Sequence, residues 1–466
     1  MSLPEEVEHK LESIILDLMI KHKVPGLSIA MVRDEELLYA RGFGSRDLEK
    51  GLPATPDTLY GIGSITKSFT ALAIMQLVEK GKIDLDDQVD RYVPVRIRPR
   101  GAPIRIRHLL THTSGLPSLC SAEAILSRLV ERPSPLVPLE TFEDLYTFIN
   151  NAEDEVVTTP GERFFYFNAG YTLLGKVIEK VSGMVYEEYI EKLILRPLEM
   201  YRSTFLKEQA ERDRDILTAY KLKEGRPIPV PFPFHPLINP AGGLLSSVRE
   251  LVNYLIMNIH NGVYKENKII NGYLLKEMHE VHVRLPIRGW FGDEGYGYGW
   301  HIYTDFHGHK LIGHGGNIAV SSAYVGFIPD LRLGVAVATN CGHAPIAYIV
   351  ALTAIALLIG KDPEKDVPHL VYDRILEKLA GVYESYKGIV KAHVVRRGSI
   401  LMLEFKEPWP EVVPLIPADP RRIEDLRFYS LHSGFIREVE FVIDERGEVD
   451  LYFERYRLHR VGPLPS

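Results

Sequence analysis

Ser64 and Lys67 stand three residues apart in Tyr60-Gly-Ile-Gly-Ser64-Ile-Thr-Lys67, where a strand-like run meets glycines and then a helical pattern. On a helix that spacing puts both side chains on one face, with Cβ atoms about 5–6 Å apart. A serine hydroxyl is a weak nucleophile and needs a base to take its proton. A lysine can be that base when burial disfavours its ammonium form. Ser64 at a helix start also has a backbone N–H free to face a developing oxyanion. Spacing of this kind recurs by chance, so two later segments carry the weight. One is Pro160-Gly161-Glu-Arg-Phe-Phe-Tyr166-Phe-Asn168, and the other is Gly313-His314-Gly315-Gly316-Asn317.

Other chemistry is poorly supported. There is no G-x-G-x-x-G, P-loop or H-E-x-x-H, and His279-Glu280-Val281-His282 is one residue too short for the last. His307, His309 and His314 would need further ligands to hold a metal, and no metal or other cofactor is expected. The 55 Lys+Arg against 62 Asp+Glu give a net charge of −7, which argues against nucleic acid as a partner. The two cysteines, Cys120 and Cys341, exclude a disulfide framework and are expected to be inert packing residues. Only three glutamines occur, beside abundant Glu, Lys and Arg, a composition that points toward a heat-adapted protein.

Several elements must position these residues. The first residues follow a helical stripe, Val7, Leu11, Ile14, Ile15 and Leu18, with acidic residues where a signal peptide carries positive charge, so a cytoplasmic location is expected. Leu27–Arg33 and Glu36–Phe43 predict an antiparallel hairpin turning at Asp34 and Glu35. A helix is predicted from near Ser64 to about Lys80. Six arginines between 91 and 107, interrupted by three prolines, read as an extended surface segment. Residues 118–157 read as an insertion with one helical stretch and the Pro-rich piece RPSPLVP, and Pro227–Pro240 as a stiff irregular loop. The apolar run Ile346–Ile359 is shorter than the ~20 residues of a spanning helix, so a buried helix and no membrane contact are expected. KDPEKDVPH near 361–369 reads as a linker, and the β-rich tail beyond it, with a hairpin at Asp444–Gly447, as a small barrel or sandwich.

Taken together, the S-x-x-K, Tyr166-x-Asn168 and His314-x-Gly316 elements resemble the serine β-lactamase and penicillin-binding protein superfamily, most of all its CubicO-type branch of class C β-lactamase-like peptidases, D-aminopeptidases and esterases. GKIDLDDQV at 81–89, His108–Pro117, Pro197-Leu-Glu-Met200 and Pro240-Ala-Gly-Gly-Leu-Leu-Ser-Ser247 are similar to further stretches of that family, over roughly residues 5–360. The resemblance implies an α+β catalytic domain at 1–362, an antiparallel sheet flanked by helices with a helical subdomain. It also implies a small antiparallel lipocalin-like β-barrel at 363–466. It implies that Ser64 forms an acyl-enzyme and that Lys67 keeps its hydroxyl activated. Tyr166 would shuttle protons to the leaving group and from the deacylating water. Asn168 would hold Lys67 and the substrate amide, and the backbone N–H of Asn317, after Gly316, would be the second oxyanion donor.

His314 departs from the K-T-G lysine of β-lactamases. A histidine near neutral pH is mostly uncharged, which implies weaker reliance on a substrate carboxylate. His112 and Ser114 read as structural, holding the loop under the nucleophile helix. The expected activity is hydrolysis of peptides, small or with D-residues. The alternatives are an esterase with the same machinery and a non-catalytic peptide-binding protein. The partners expected are thus a peptide or ester substrate and, through the barrel, copies of the same chain. A tethered barrel could cap the cleft or drive assembly.

Overall fold

A strand at 26–33, buried from Gly26 to Val32, and a partly exposed one at 36–47 form the first hairpin, and the rest of the main sheet grows from it. The structure, a computed structural model, describes residues 3–130, 137–342, 345–432 and 434–465. Contacts divide the chain into two compact units, Met1–Ile355 and Ala356–Ser466.

In the first unit, α1 (Glu5–His22) buries Leu11, Ile15 and Leu18 on its apolar stripe. Strands β1 (Gly26–Arg33), β2 (Glu36–Asp47) and β3 (Leu52–Pro53) come next, with Asp34 in the left-handed region at the first turn. The other six strands of the sheet come much later in the chain: β4 (Val283–Arg288), β5 (Asp293–Tyr296), β6 (His301–Phe306), β7 (His309–Asn317), β8 (Ser322–Ile328) and β9 (Leu333–Thr339). They pair antiparallel in the order β4-β5-β6-β7-β8-β9-β1-β2-β3. Strand β8, next to β7, and β9 beyond it are buried along their whole length.

The helices fill the long interval between β3 and β4. A 3₁₀ turn at Gly63–Ile65 runs into α2 (Thr66–Glu79), whose residues from Thr66 to Leu77 are all buried. The regular helix therefore begins two residues after Ser64. Phe69 of α2 stacks on Tyr254 of α6 (Val248–Ile259) with ring centroids 3.9 Å apart, and Trp300 stacks on the same Tyr254 at 5.9 Å. Burial of each such side chain contributes roughly 1.5–3 kcal/mol. Arginines 91, 98 and 107 are paired on the surface with Asp87, Asp90 and Asp86, as an extended charged segment requires.

The 118–157 insertion holds two helices, where one was expected: α3 (Ser121–Val130) and α4 (Phe142–Asn150). Thr141 caps α4 by accepting from the Asp144 backbone N–H, a capping box. Residues 132–136 of the Pro-rich piece lie outside the described residues. Cys341 is buried, but Cys120 is exposed, because Leu119 and Cys120 both adopt left-handed backbone angles and turn the thiol outward. α5 (Asn168–Ser182) buries one full face, and the run at 346–359 forms the buried helix α7 (Ile346–Leu358). Among the described residues no helix is long and apolar enough to cross a membrane.

In the second unit, residues read as a linker are helical instead: Pro363–Asp366 forms one turn and α8 (Pro368–Leu379) follows. Proline at the first helical position costs no hydrogen bond there, so the two prolines start helices here instead of breaking them. Val371, Ile375, Leu376 and Leu379 give α8 a buried stripe. Eight strands then close an antiparallel barrel: β10 (Gly381–Glu384), β11 (Lys391–Arg397), β12 (Ile400–Glu407), β13 (Glu411–Pro417), β14 (Arg427–His432), β15 (Phe435–Ile443), β16 (Val449–Phe453) and β17 (Tyr456–Gly462). The hairpin predicted at Asp444–Gly447 joins β15 to β16, with Ile443 opposite Val449.

Candidate active site

Lys67 and Ser64 meet because the 3₁₀ turn and α2 are continuous. Lys67 Nζ lies 3.0 Å from Ser64 Oγ, 2.8 Å from Asn168 Oδ1 and 2.7 Å from the Ala241 carbonyl oxygen. Its stem is wholly buried, and the ammonium faces the rings of Tyr166 and Tyr171 at 4.8 and 5.6 Å. Burial lowers its pKa from 10.5 to about 7, with the Glu123 carboxylate opposing that shift. The three acceptors match the three N–H donors of an ammonium. In the neutral amine two of those bonds persist, to Asn168 and Ala241, and the lone pair accepts the Ser64 hydroxyl proton.

Tyr166 is half-buried, and burial pushes its pKa up, against a hydrogen bond with the Ser64 side chain. The phenol is therefore protonated at neutral pH. The segment that carries Tyr166 has little regular structure of its own. It is tied to residues 112–115 by hydrogen bonds from the N–H groups of Val157, Gly161 and Phe165 to the carbonyls of Gly115, Thr113 and His112. His112 adds a further bond, its Nδ1 accepting from the Phe167 N–H at 3.0 Å, and its ring packs on Tyr166 with centroids 4.2 Å apart. His112 is thus structural in a different sense from the expected one: it braces the Tyr166–Asn168 turn from both sides.

Strand β7 brings the third element. Gly63 has φ 53° and touches the Asn317 backbone nitrogen, so a side chain there is excluded by conformation and by space. A Cβ on Gly316 would overlap the Ile62 carbonyl oxygen and stand 3.0 Å from the Ser64 backbone nitrogen. The backbone of Gly316-Asn317 therefore lies flat against that of Gly63-Ser64. The Asn317 side chain turns away, donating to the Gly342 carbonyl at 2.7 Å and accepting from the Ala319 N–H at 2.7 Å. What Asn317 offers the cleft is its main chain. Replacement of Gly316 by Ala is expected to push β7 off the nucleophile turn, lowering kcat about 100-fold, as ~1 Å misplacements do, while the melting temperature falls by only a few degrees. Steady-state kinetics beside a thermal melt would check it, and an equal loss of fold and activity would contradict it.

His314 is 6% exposed and sits behind the cleft. Its Nε2 is 2.9 Å from the Tyr296 hydroxyl and its Nδ1 is 2.6 Å from the Gly315 carbonyl. A carbonyl only accepts, so Nδ1 carries the proton and Nε2 accepts from Tyr296. Burial, and then the Lys67 charge, lower its pKa to about 3, so the ring is neutral. Tyr296 and Ala241 escaped the sequence reading as site residues. The P-A-G-G stretch that contains Ala241 was visible, but its contribution is a backbone carbonyl that no residue type announces.

Among the described residues no three His, Cys, Asp or Glu side chains converge as a metal site. His279 is buried at 3.0 Å from Asn258 Oδ1, and His309 pairs with Asp330 at 2.6 Å.

A family model described as Beta-lactamase matches residues 11–358. The chain belongs to the beta-lactamase family. Its unit with the mixed helices and sheet is the beta-lactamase/penicillin-binding protein fold, a serine hydrolase fold. Residues 363–459 match a second model, described as Pab87 octamerisation domain. The solved structure of an octameric penicillin-binding protein homologue from Pyrococcus abyssi is 45% identical with a TM-score of 0.90, over 97% of this chain and 99% of that one. Protein flp of Staphylococcus aureus (strain MW2) is 26% identical over 424 residues, 87% of this chain and 78% of that protein. Penicillin-binding protein 4 of Amycolatopsis lactamdurans is 25% identical over 336 residues, 70% of this beta-lactamase family chain and 84% of its own length.

Proposed function

We propose that the protein is a serine peptidase that hydrolyses amide bonds of small peptides, including those with D-residues, through a Ser64 acyl-enzyme. The observation that carries this is Lys67 Nζ 3.0 Å from Ser64 Oγ with its pKa lowered to about 7. Ser64 Oγ attacks the carbonyl carbon as its proton passes to the Lys67 amine, and the backbone N–H groups of Ser64 and Asn317 stabilise the oxyanion. The C–N bond breaks as the leaving nitrogen takes a proton. Tyr166 supplies it and is reprotonated from Lys67. Water then attacks the ester carbonyl as its proton passes to the neutral Lys67 amine, and that proton goes on to Ser64 Oγ as the acyl C–O bond breaks. An amide nitrogen leaves only when protonated, so a half-buried, protonated phenol beside Ser64 favours amides over esters as the working substrate.

His314 supports one feature of specificity. It is neutral and bonded on both nitrogens, so it offers no fixed cation to a substrate carboxylate. The test is to incubate the protein and its Ser64→Ala variant with a mixed L- and D-peptide library, with free and amidated C-termini, and to follow products by mass spectrometry. Ser64-dependent cleavage of both terminal forms is expected. Turnover confined to aryl esters run alongside would make it an esterase, and Ser64-independence throughout would leave a binding protein.

The same proposal assigns the barrel to self-assembly, as a homo-oligomer. The outer face of β14 and β15 exposes Leu431 and Ile436 at 53 and 70%, directly opposite each other, and Phe435 at the start of β15 is 73% exposed. Val412 on β13 adds to this apolar surface at 59% exposure. Exposed apolar side chains clustered this way mark an interaction surface. The Pyrococcus abyssi relative is octameric and the matched barrel family is an octamerisation domain, so an octamer is the state proposed for this chain. Changing Leu431, Phe435 and Ile436 to Ser or Lys is expected to reduce the mass seen by light scattering to that of smaller species. An unchanged mass would place the contacts elsewhere.

A further inference from the structure

Strand β7 carries one face past the whole reaction centre. Successive residues of a strand alternate sides at about 3.3 Å per residue, so His314 and Gly316 share that face. The His314 ring stands 6.4 Å from the ring of Tyr166, and Gly316 lies on the turn that carries Ser64. Ile318 follows directly and is buried. Its Cδ1 and the Phe232 ring fill the space in front of Gly61: a Cβ there would overlap Ile318 and stand 2.6 and 2.7 Å from two atoms of the Phe232 ring. Gly61 lies three residues before Ser64, whereas Lys67 lies three residues after it. Both chain segments that supply the Ser64 and Asn317 N–H groups therefore lead from the proton-transfer groups at one end to Phe232 at the other.

Phe232 is held in this place by its own loop. It stands between Pro231 and Pro233, where each proline ring fixes φ. The Val230 N–H donates to the Ala219 carbonyl at 2.9 Å, and the Phe234 N–H to the Phe232 carbonyl at 3.0 Å. The Phe234 ring backs it, with centroids 4.6 Å apart. Phe232 is half-buried, so part of its ring is open to solvent beside the nucleophile turn. Gly61, Ile318 and Phe232 bring no charge and no polar side chain to that corner. In the acyl transfer the leaving group lies at Tyr166, which protonates it, so the acyl half extends from Ser64 the other way, toward Gly61 and Phe232. An apolar substituent there gains buried area against the ring, whereas a charged one sheds water without gaining a partner.

We infer that Phe232, backed by Ile318 and Phe234, is the apolar wall that receives the side chain of the residue whose carbonyl is attacked, so that the enzyme prefers large apolar residues, aromatic ones above all, on the acyl side of the cleaved bond. Phe232 is a specificity-determining residue in this role and takes no part in bond breaking. The role rests on the peptidase reading, and the experiment separates the two. On the full-length protein, kcat/KM is measured for p-nitroanilides of alanine, leucine, phenylalanine and glutamate, with the amino group free and acetylated, and for the matching p-nitrophenyl esters. Phenylalanine is expected to react best, then leucine, alanine and glutamate. In Phe232→Ala the ratio of phenylalanine to alanine substrates should fall about tenfold, the scale of one apolar group in a pocket, and Phe232→Leu should keep most of it. A fall shared equally by both substrates would mark a merely structural role and overturn the inference. So would an unmoved ratio, or a wild-type protein that does not favour phenylalanine over alanine. If amides fail and esters react, the peptidase reading fails, while the same ratio on esters still reads Phe232. Turnover of neither series overturns both.

Discussion

Ser64→Ala is expected to remove at least about 10⁴-fold of kcat on any substrate the protein turns over, with the fold intact, a loss typical of an acyl-enzyme nucleophile. Ser64 sits in the 3₁₀ turn, exposed enough to be reached, and its hydroxyl makes no contribution to the core. Its removal therefore leaves the melting temperature nearly unchanged. Lys67→Ala should cost almost as much activity, because the amine is the group in contact with the Ser64 hydroxyl that can hold its proton at neutral pH. The double variant should be no worse than either single one, since residues that act as a unit are far from additive. Residual Ser64-independent turnover above a few per cent, with the contaminating hydrolases excluded, would contradict the acyl-enzyme.

The second large effect is on pH. Lys67 must be neutral to accept the proton, and its pKa is lowered to about 7 by burial. Below that value the ammonium dominates and kcat/KM should fall about tenfold per pH unit; above it the rate should reach a plateau. The phenol of Tyr166 adds no limb at neutrality, because burial pushes its pKa up. Neither does His314, with its pKa lowered to about 3. The profile is therefore a single ascending limb with a midpoint near 7. Lys67→Arg should abolish both the limb and the rate, about 10³-fold or more, since a guanidinium is not deprotonated in this range. A descending limb near neutrality, or a midpoint near the ordinary lysine value, would show that another group serves as the base.

Much of this site could be read from residue types. The three elements that carry the chemistry were legible because their side chains have to be of particular kinds at fixed separations, and because glycines bracket them where backbones touch. The hairpin of β1 and β2, the buried helix at 346–358 and the hairpin at Asp444–Gly447 were legible because apolar periodicity reports burial directly. The linker near 361–369 was misread because proline breaks a helix interior but starts a helix well, and the sequence does not say which position it occupies. The second helix of the insertion, α4, was hidden by its neighbouring prolines. The contributions of Ala241 and Asn317 are main-chain atoms, for which side-chain identity carries no signal.

One consequence of the ties between residues 112–115 and 157–167 lies in motion. A stretch without regular helix or strand usually opens readily and exchanges its amide protons fast. Here Val157, Gly161, Phe165 and Phe167 each donate to a partner about fifty residues earlier in the chain, in the loop after the short helix Ile106–Leu110. The Tyr166 segment can open only as far as that loop opens with it. Protection of the amides in this irregular stretch should therefore rise and fall together with that of residues 112–115.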